Sequence, residues 1–196
     1  MTLNDLERIG AVLRGHFLLT SGRHSDLYFE KFRLLEAPSL LGTAVDLMLS
    51  RLPERAWRQA KAIVGPTLGG VIVAYEAARQ LDVRALYAER EGDGRAFRRG
   101  SVLEPDTPVL VVDDVLTTGT SIREVLALLE RSQARVLGIG VLIDRSESPI
   151  EFGAPLASAL RLPAQTYAPD ECPLCRQGVP LTKRGSRGEL TPESPL

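Results

Sequence analysis

An α/β fold with a mostly parallel central sheet flanked by helices is the architecture this sequence predicts. Three observations carry that expectation. Strand-like and helix-like segments alternate along the chain, and the runs VLVVD (109–113) and RVLGIGVLID (135–144) are apolar enough to be covered on both faces. Loops of distinctive chemistry follow the strand-like runs, where parallel sheets gather ligands.

Taken in order, residues 4–14 read as an amphipathic helix with Leu6, Ile9 and Leu13 on one face and Thr2 or Asn4 as cap. Pro38 and Ser39 open a second helix over 38–51. AIVG (62–65) is a strand, 69–81 a helix, 83–89 a strand, 109–113 a strand with a helix from near Thr120, and 135–144 the last strong strand. The polar, Pro/Gly-rich stretch 183–196 reads as a disordered tail after a single domain over 1–182.

Composition narrows the class. The 196 residues suit one well-buried core. With 24 basic and 25 acidic residues the net charge is −1, so no global charge points to nucleic acid or to a membrane surface. No run approaches the apolar length of a membrane span, and MTLNDLERIGAVL carries acids where a secretory signal carries none. Two cysteines form no disulfide framework, so a reducing cytoplasm is the expected setting.

The richest segment is VLVVDDVLTTGTS (109–121). Asp113 and Asp114 at a strand's carboxyl end can accept hydrogen bonds from vicinal hydroxyls such as those of a ribose. The small residues Thr117, Thr118, Gly119, Thr120 and Ser121 let amides and hydroxyls wrap a phosphate at a helix N-terminus. Diol acceptors beside a phosphate cradle describe a ribose-5-phosphate site; an ordinary βα turn with acidic caps is the plainer alternative. GPTLGG (65–70) follows a strand and opens a helix, and Gly69 and Gly70 let its backbone approach an anion closely. AEREGDGRAFRRG (88–100) offers Arg90, Arg95, Arg98 and Arg99 to a leaving anion, with Gly92, Gly94 and Gly100 as hinges, unless it is a solvated charged hairpin.

The ordered pattern at 111–121 (two hydrophobics, two acids, a hydrophobic pair, then Thr, Thr, Gly, Thr, Ser) resembles the signature of the type I phosphoribosyltransferases, which use phosphoribosyl diphosphate (PRPP). GHFLLTSGRHSDLYFEK (15–31) further resembles the N-terminal base-recognition segment of the orotate branch, through Gly15, Phe17, Leu19, Ser21, Gly22, Ser25, Tyr28, Phe29 and Glu30. The resemblance runs from about Gly15 to Tyr167.

It implies the type I phosphoribosyltransferase fold, a core over about 38–167 with a small hood made of about 1–35 plus a C-terminal part. The implied reaction is transfer of ribose-5-phosphate from PRPP to N1 of orotate, giving orotidine 5′-phosphate and diphosphate, with Mg²⁺ as cofactor. Asp113, Asp114 and Arg90 would be catalytic. PRPP would be held by Asp113, Asp114, Val115, Leu116, Thr117, Thr118, Gly119, Thr120, Ser121, Thr67, Leu68, Gly69 and Arg90. Orotate would meet Thr117, Arg145, Tyr28 and Phe29: a fixed guanidinium suits planar anionic acceptors, and an aromatic pair can pack on a pyrimidine. A strand-end ion pair of Arg145 with Asp144 is the structural alternative. A homodimer whose lids reach across to the neighbouring site is also implied. The alternatives are a purine phosphoribosyltransferase and a non-catalytic PRPP-sensing regulator that binds nucleic acid; near-neutral charge and the lack of an added domain speak against the second.

This chain departs from the family pattern at four places. Gly69 and Thr20 stand where many members carry lysine, Ser25-Asp26 replaces Ser-Pro, and Glu89-Arg90 replaces the lid's Arg-Lys pair. Finally, Cys172 and Cys175 have zinc-knuckle spacing, but a structural zinc takes four ligands, and the sequence offers no second pair and no nearby histidine to complete them. An ordered turn with two reduced thiols is the expectation, and His16 and His24 read as surface or capping residues.

Overall fold

The computed structural model describes residues 1–19, 21–163 and 165–184. Thr20 and most of the expected tail, 185–196, lie outside the described residues.

Two sheets organise the chain. The larger has six strands: β3 (Ala62–Pro66), β4 (Arg84–Glu91), β5 (Gly94–Ala96), β6 (Pro108–Leu116), β7 (Arg135–Asp144) and β8 (Leu156–Arg161), in the order β5-β4-β3-β6-β7-β8. All its pairings are parallel except β4 with β5. The smaller has β1 (Val12–Leu18), β2 (His24–Phe29), β9 (Thr166–Tyr167) and β10 (Thr182–Lys183), in the order β10-β1-β2-β9. The hood is therefore sewn from both ends of the sequence, as the resemblance implied.

Helices α1 (Leu3–Arg8), α2 (Lys31–Leu35), α3 (Pro38–Ser50), α4 (Glu54–Gln59), α5 (Gly69–Leu81), α6 (Thr120–Arg131) and α7 (Pro173–Arg176) complete the chain. Alternation along β6 splits the core: Leu110 and Val112 pack with Val45, Met48 and Ala77 of α3 and α5, while Val109 and Val111 pack with Ile122, Val125 and Leu129 of α6. Burial on both faces is what the unbroken apolar run encodes.

Several expectations need correction. The helix expected over 4–14 stops at Arg8, capped at its start by a Thr2–Asp5 capping box. Gly10 at φ 71° then turns the chain into β1, so Leu13 belongs to a strand. Strand β6 continues through the two acids to Leu116, β4 continues to Glu91, and β7 is followed by a further parallel strand, β8. Part of the Gly/Arg-rich segment is thus a hairpin, β4–β5, with Gly92 (φ 55°) at its turn. The expected tail began at 183, yet Lys183 pairs with Leu18.

The larger sheet has a topological switch point. From β3 the chain moves outward to β4 and then returns to the other side of β3 as β6. Loops leaving β3 and β6 diverge there, and open α/β sheets bind ligands in that crevice.

Candidate active site

Both loops singled out in the sequence meet at this switch point. A methyl group on Gly69 would lie 1.7 Å from Asp114 Oδ2, so the loop after β3 touches the acids of β6 and no side chain fits at 69. The lysine that many family members carry there has no room in this packing. A different cation takes up the charge: Lys31, at the start of α2, places Nζ 2.8 Å from Asp114 Oδ2. That oxygen is buried and, despite the short ion pair, makes no hydrogen bond of good geometry. Lys31 lies just past the motif residues and was not singled out from the sequence. The Thr67–Leu68 peptide in this loop is cis.

Asp113 and Asp114 are 6% and 5% exposed. Asp113 Oδ1 accepts the Asp114 amide at 2.9 Å and Asp114 Oδ1 accepts the Val115 amide at 2.7 Å. Burial, reinforced by the neighbouring Asp114 carboxylate, pushes the Asp113 pKa up to about 7. Two adjacent acids held this dry are costly unless a ligand uses them.

Beyond the acids, Val115–Ile122 wrap a small concavity of about 40 Å³ together with Asp113. Gly119 at φ 77° precedes α6, and a methyl group there would meet the Phe152 ring at 2.7 Å. Arg123 stacks on that ring at 5.2 Å and donates to the Thr118 carbonyl at 2.8 Å, which fixes the loop. Thr117, Thr118 and Thr120 are exposed and Ser121 half-buried, so hydroxyls and amides face outward. The Leu116 side chain is core at 1% exposure, so only its main chain can reach a ligand.

Next to this loop lies a cavity of about 660 Å³ lined by Tyr28, Phe29, Thr117, Thr118 and Arg145 among others. All four residues expected to meet the base therefore converge. Successive strand residues face opposite sides, and Phe29 is mostly core while Tyr28, tilted against Phe17 at 5.6 Å, is half-buried. Arg145 does not pair with Asp144. Asp144 instead faces Arg161 at 3.8 Å and accepts from the Ser146 amide and hydroxyl at 2.9 and 2.6 Å, a turn that sets the direction of Arg145. Arg145 Nε is buried with no partner, and burial pulls its pKa down. A guanidinium with a buried, unpartnered Nε at the wall of a cavity asks for an anion. Arg23 and Arg184 also line this cavity and were not singled out from the sequence.

Of the four lid arginines, Arg95 is removed from contention. It is 4% exposed and donates to Glu124 at 2.9 Å and to the Ala88 carbonyl at 2.9 Å, so it ties β5 to α6 and β4. Arg90 stays exposed, 3.6 Å from the same Glu124, and Arg98 and Arg99 pair with Glu91 and Glu89 on the hairpin. Charge pattern alone does not distinguish a buried arginine from a free one.

Residues 34–154 match the phosphoribosyl transferase domain family. The orotate phosphoribosyltransferase of Thermotoga maritima is 45% identical over 183 residues, covering 93% of this chain and 96% of that protein. The chain belongs to the orotate phosphoribosyltransferases. The same enzyme of Caldanaerobacter subterraneus is 41% identical over 94% of this chain and 96% of its own length. Among solved structures, orotate phosphoribosyltransferase from Aeropyrum pernix superposes with a TM-score of 0.69 at 32% identity, covering 83% of this chain and 94% of that one. Adenine phosphoribosyltransferase from Rhodothermus marinus reaches 0.62 at 21% identity, covering 82% of this chain and 100% of that one; it shares the type I fold. An orotate phosphoribosyltransferase is favoured over the purine-specific and regulatory alternatives. Among the described residues no helix is long and apolar enough to cross a membrane.

Proposed function

We propose that this chain, as a single phosphoribosyltransferase domain, transfers ribose-5-phosphate from PRPP to N1 of orotate, giving orotidine 5′-phosphate and diphosphate in de novo pyrimidine biosynthesis. The observation that carries the reading is Arg145, whose buried, unpartnered Nε faces a cavity bounded by Tyr28 and the phosphate loop. Orotate is a planar anion with carbonyl and carboxylate acceptors, which a rigid guanidinium fork matches.

In this reading the Val115–Ser121 loop holds the 5′-phosphate through amides and hydroxyls at the α6 N-terminus. Asp113 and Asp114 accept the ribose hydroxyls, and Thr67, Leu68 and Gly69 offer main-chain groups to the diphosphate. Cleavage of the bond to diphosphate leaves cationic character on the ribose ring, and buried carboxylates beside it stabilise that charge. Arg90 meets the departing diphosphate, while Arg145, Thr117, Tyr28 and Phe29 hold the base so that N1 faces the anomeric carbon.

Mg²⁺ fits the donor set, since hard carboxylate oxygens suit it and Asp114 Oδ2, although beside Lys31, makes no hydrogen bond of good geometry. Bound with the diphosphate through water at Asp113 and Asp114, it would supply charge neutralisation to the leaving group. The enzyme is read as a cytoplasmic homodimer that needs no nucleic acid or membrane.

Purified protein given PRPP and Mg²⁺ should deplete orotate absorbance and release diphosphate, and adenine, hypoxanthine, guanine and xanthine should be poor acceptors. Turnover of a purine base in preference to orotate would overturn the reading. Within it, Arg145→Ala should raise the KM for orotate on the order of 100-fold, from loss of a desolvated charge pair. Arg145→Lys should recover little, because a point charge lacks the fork. An orotate KM unchanged in Arg145→Ala would remove this residue from the base site.

A further inference from the structure

The ordered turn with two free thiols is present, but the two histidines expected as surface or capping residues are buried beside it. His16 and His24 are 2% and 5% exposed, and both lie against Cys172 and Cys175. One ligating atom from each of the four falls within 4.8 Å of all the others. His16 Nε2 is 3.0 Å from His24 Nδ1, 3.4 Å from Cys172 Sγ and 3.7 Å from Cys175 Sγ; His24 Nδ1 is 3.3 Å from Cys175 Sγ.

We propose that His16, His24, Cys172 and Cys175 form a structural zinc site that clamps the hood hairpin to the C-terminal segment.

Tetrahedral geometry supports this assignment quantitatively. With Zn–N near ~2.0–2.1 Å and Zn–S near ~2.3 Å, ligand atoms should stand about 3.3 Å (N to N) to 3.8 Å (S to S) apart. The four distances above fall in or close to that range, whereas a hydrogen-bonded cluster gives a poorer account. A single ring nitrogen, His16 Nε2, faces three neighbours and carries at most one proton.

The orientation of His16 is also that of a metal ligand. Its Nδ1 lies 2.8 Å from the Val179 carbonyl, so Nδ1–H donates there and Nε2 keeps its lone pair for the metal. Local structure prepares both halves of the site. The β1–β2 register slips between Arg14 and Phe17, and this bulge lets His16 and Phe17, neighbours in sequence, both turn inward. Cys172 stands at the N-cap position of α7 without a side-chain capping bond and Cys175 sits one helical turn on, before Gly178 at φ 69° bends the chain back. The mixed thiolate and imidazole set closes a four-coordinate shell, the structural pattern, and selects zinc over magnesium.

The clamp has a clear mechanical consequence. Past Cys175 the chain supplies Thr182 and Lys183 to β10 beside Phe17 and Leu18, and Arg184 to the cavity. A four-stranded sheet with two-residue edge strands has little core of its own, the situation in which small units recruit a metal.

The full chain, expressed without a histidine tag in zinc-supplemented medium and dialysed under reducing conditions, should retain about one zinc per chain by elemental analysis. Cys172→Ser/Cys175→Ser should lose it. A cobalt titration of the zinc-stripped wild-type chain should give intense visible bands of a tetrahedral ion with thiolate-to-cobalt charge transfer. It needs no variant, so it decides the matter even if the double serine variant is insoluble. Zinc-free dialysed protein that also gives no such cobalt spectrum would overturn the site, as would zinc retained in full by the double serine variant. A wild-type mass short of two hydrogens, showing a Cys172–Cys175 disulfide in the protein as purified without reductant, would overturn it too. Metal content is read independently of orotate turnover, so failure here leaves the reaction untouched, and the reverse.

Discussion

Replacing Asp113 and Asp114 together by asparagine should lower kcat/KM on the order of 10³-fold while leaving a folded protein that melts higher at neutral pH. Both halves follow from one fact: two carboxylates are buried side by side at the switch point. Asn matches Asp in shape and keeps an acceptor for the amides of Asp114 and Val115, so the strand end is preserved. It cannot carry the negative charge that the proposed mechanism sets beside the ribose ring as diphosphate departs.

The stability half has a defined sign. The folded pKa of Asp113, about 7, lies above its ordinary value of 3.8, so the folded chain keeps a proton that the unfolded chain has already lost. Its contribution is most favourable below pH 3.8 and is lost as pH rises towards 7. Asp113→Asn alone should therefore exceed wild type in stability by ~1–3 kcal/mol at pH 8, with the gap closing towards pH 4. Denaturant melts at the two pH values check it. A gap independent of pH would show that Asp113 titrates normally. The same proton must leave when PRPP and Mg²⁺ need the carboxylate, so wild-type affinity for PRPP should strengthen as pH rises through 7 more steeply than that of Asp113→Asn.

Some of this was written plainly in the sequence and some was not. Helix α5 and strand β7 have the bounds their hydrophobic patterns predict, because each is long, α5 burying one consistent face and β7 both of its faces. The positions of the two acids at the end of β6 and of the Thr/Gly loop that opens α6 were equally legible, since they sit in one unbroken segment. The hood was not. Leu13 fits a helical period as well as a strand, and the β1 bulge breaks the alternation that would have revealed it. The cluster brings the histidines of β1 and β2 to the cysteines of the C-terminal segment, 156 positions apart for His16 and Cys172 and 151 for His24 and Cys175, a separation no local pattern reports. Arg95 looked like its neighbours because a run of arginines says nothing about which one the fold buries against Glu124.

Arg90→Ala should be nearly inactive, and mixing it with Asp113→Asn/Asp114→Asn should bring activity back. Arg90 is the exposed lid cation that falls at a basic position of the family pattern, and with Arg95 held between Glu124 and the Ala88 carbonyl it has one rival fewer. If two subunits exchange lids, a mixed dimer has one site that lacks both the acids and the arginine and one that lacks neither. Random equal mixing then makes half the dimers mixed, and recovery should approach about a quarter of wild-type activity. The competing geometry is specific: Arg90 lies 3.6 Å from Glu124 of its own chain, one helical turn beyond the phosphate loop. An arginine that swings from Glu124 onto diphosphate within its own subunit leaves every site of the mixture with one defect, and the mixture stays as inactive as its parts. Subunit exchange is verified beforehand by differentially tagged wild-type chains, so a silent mixture reports lid geometry. Full activity of Arg90→Ala by itself would move the role to Arg98 or Arg99, whose carboxylate partners on the hairpin are exposed or half-buried and readily exchanged for a diphosphate.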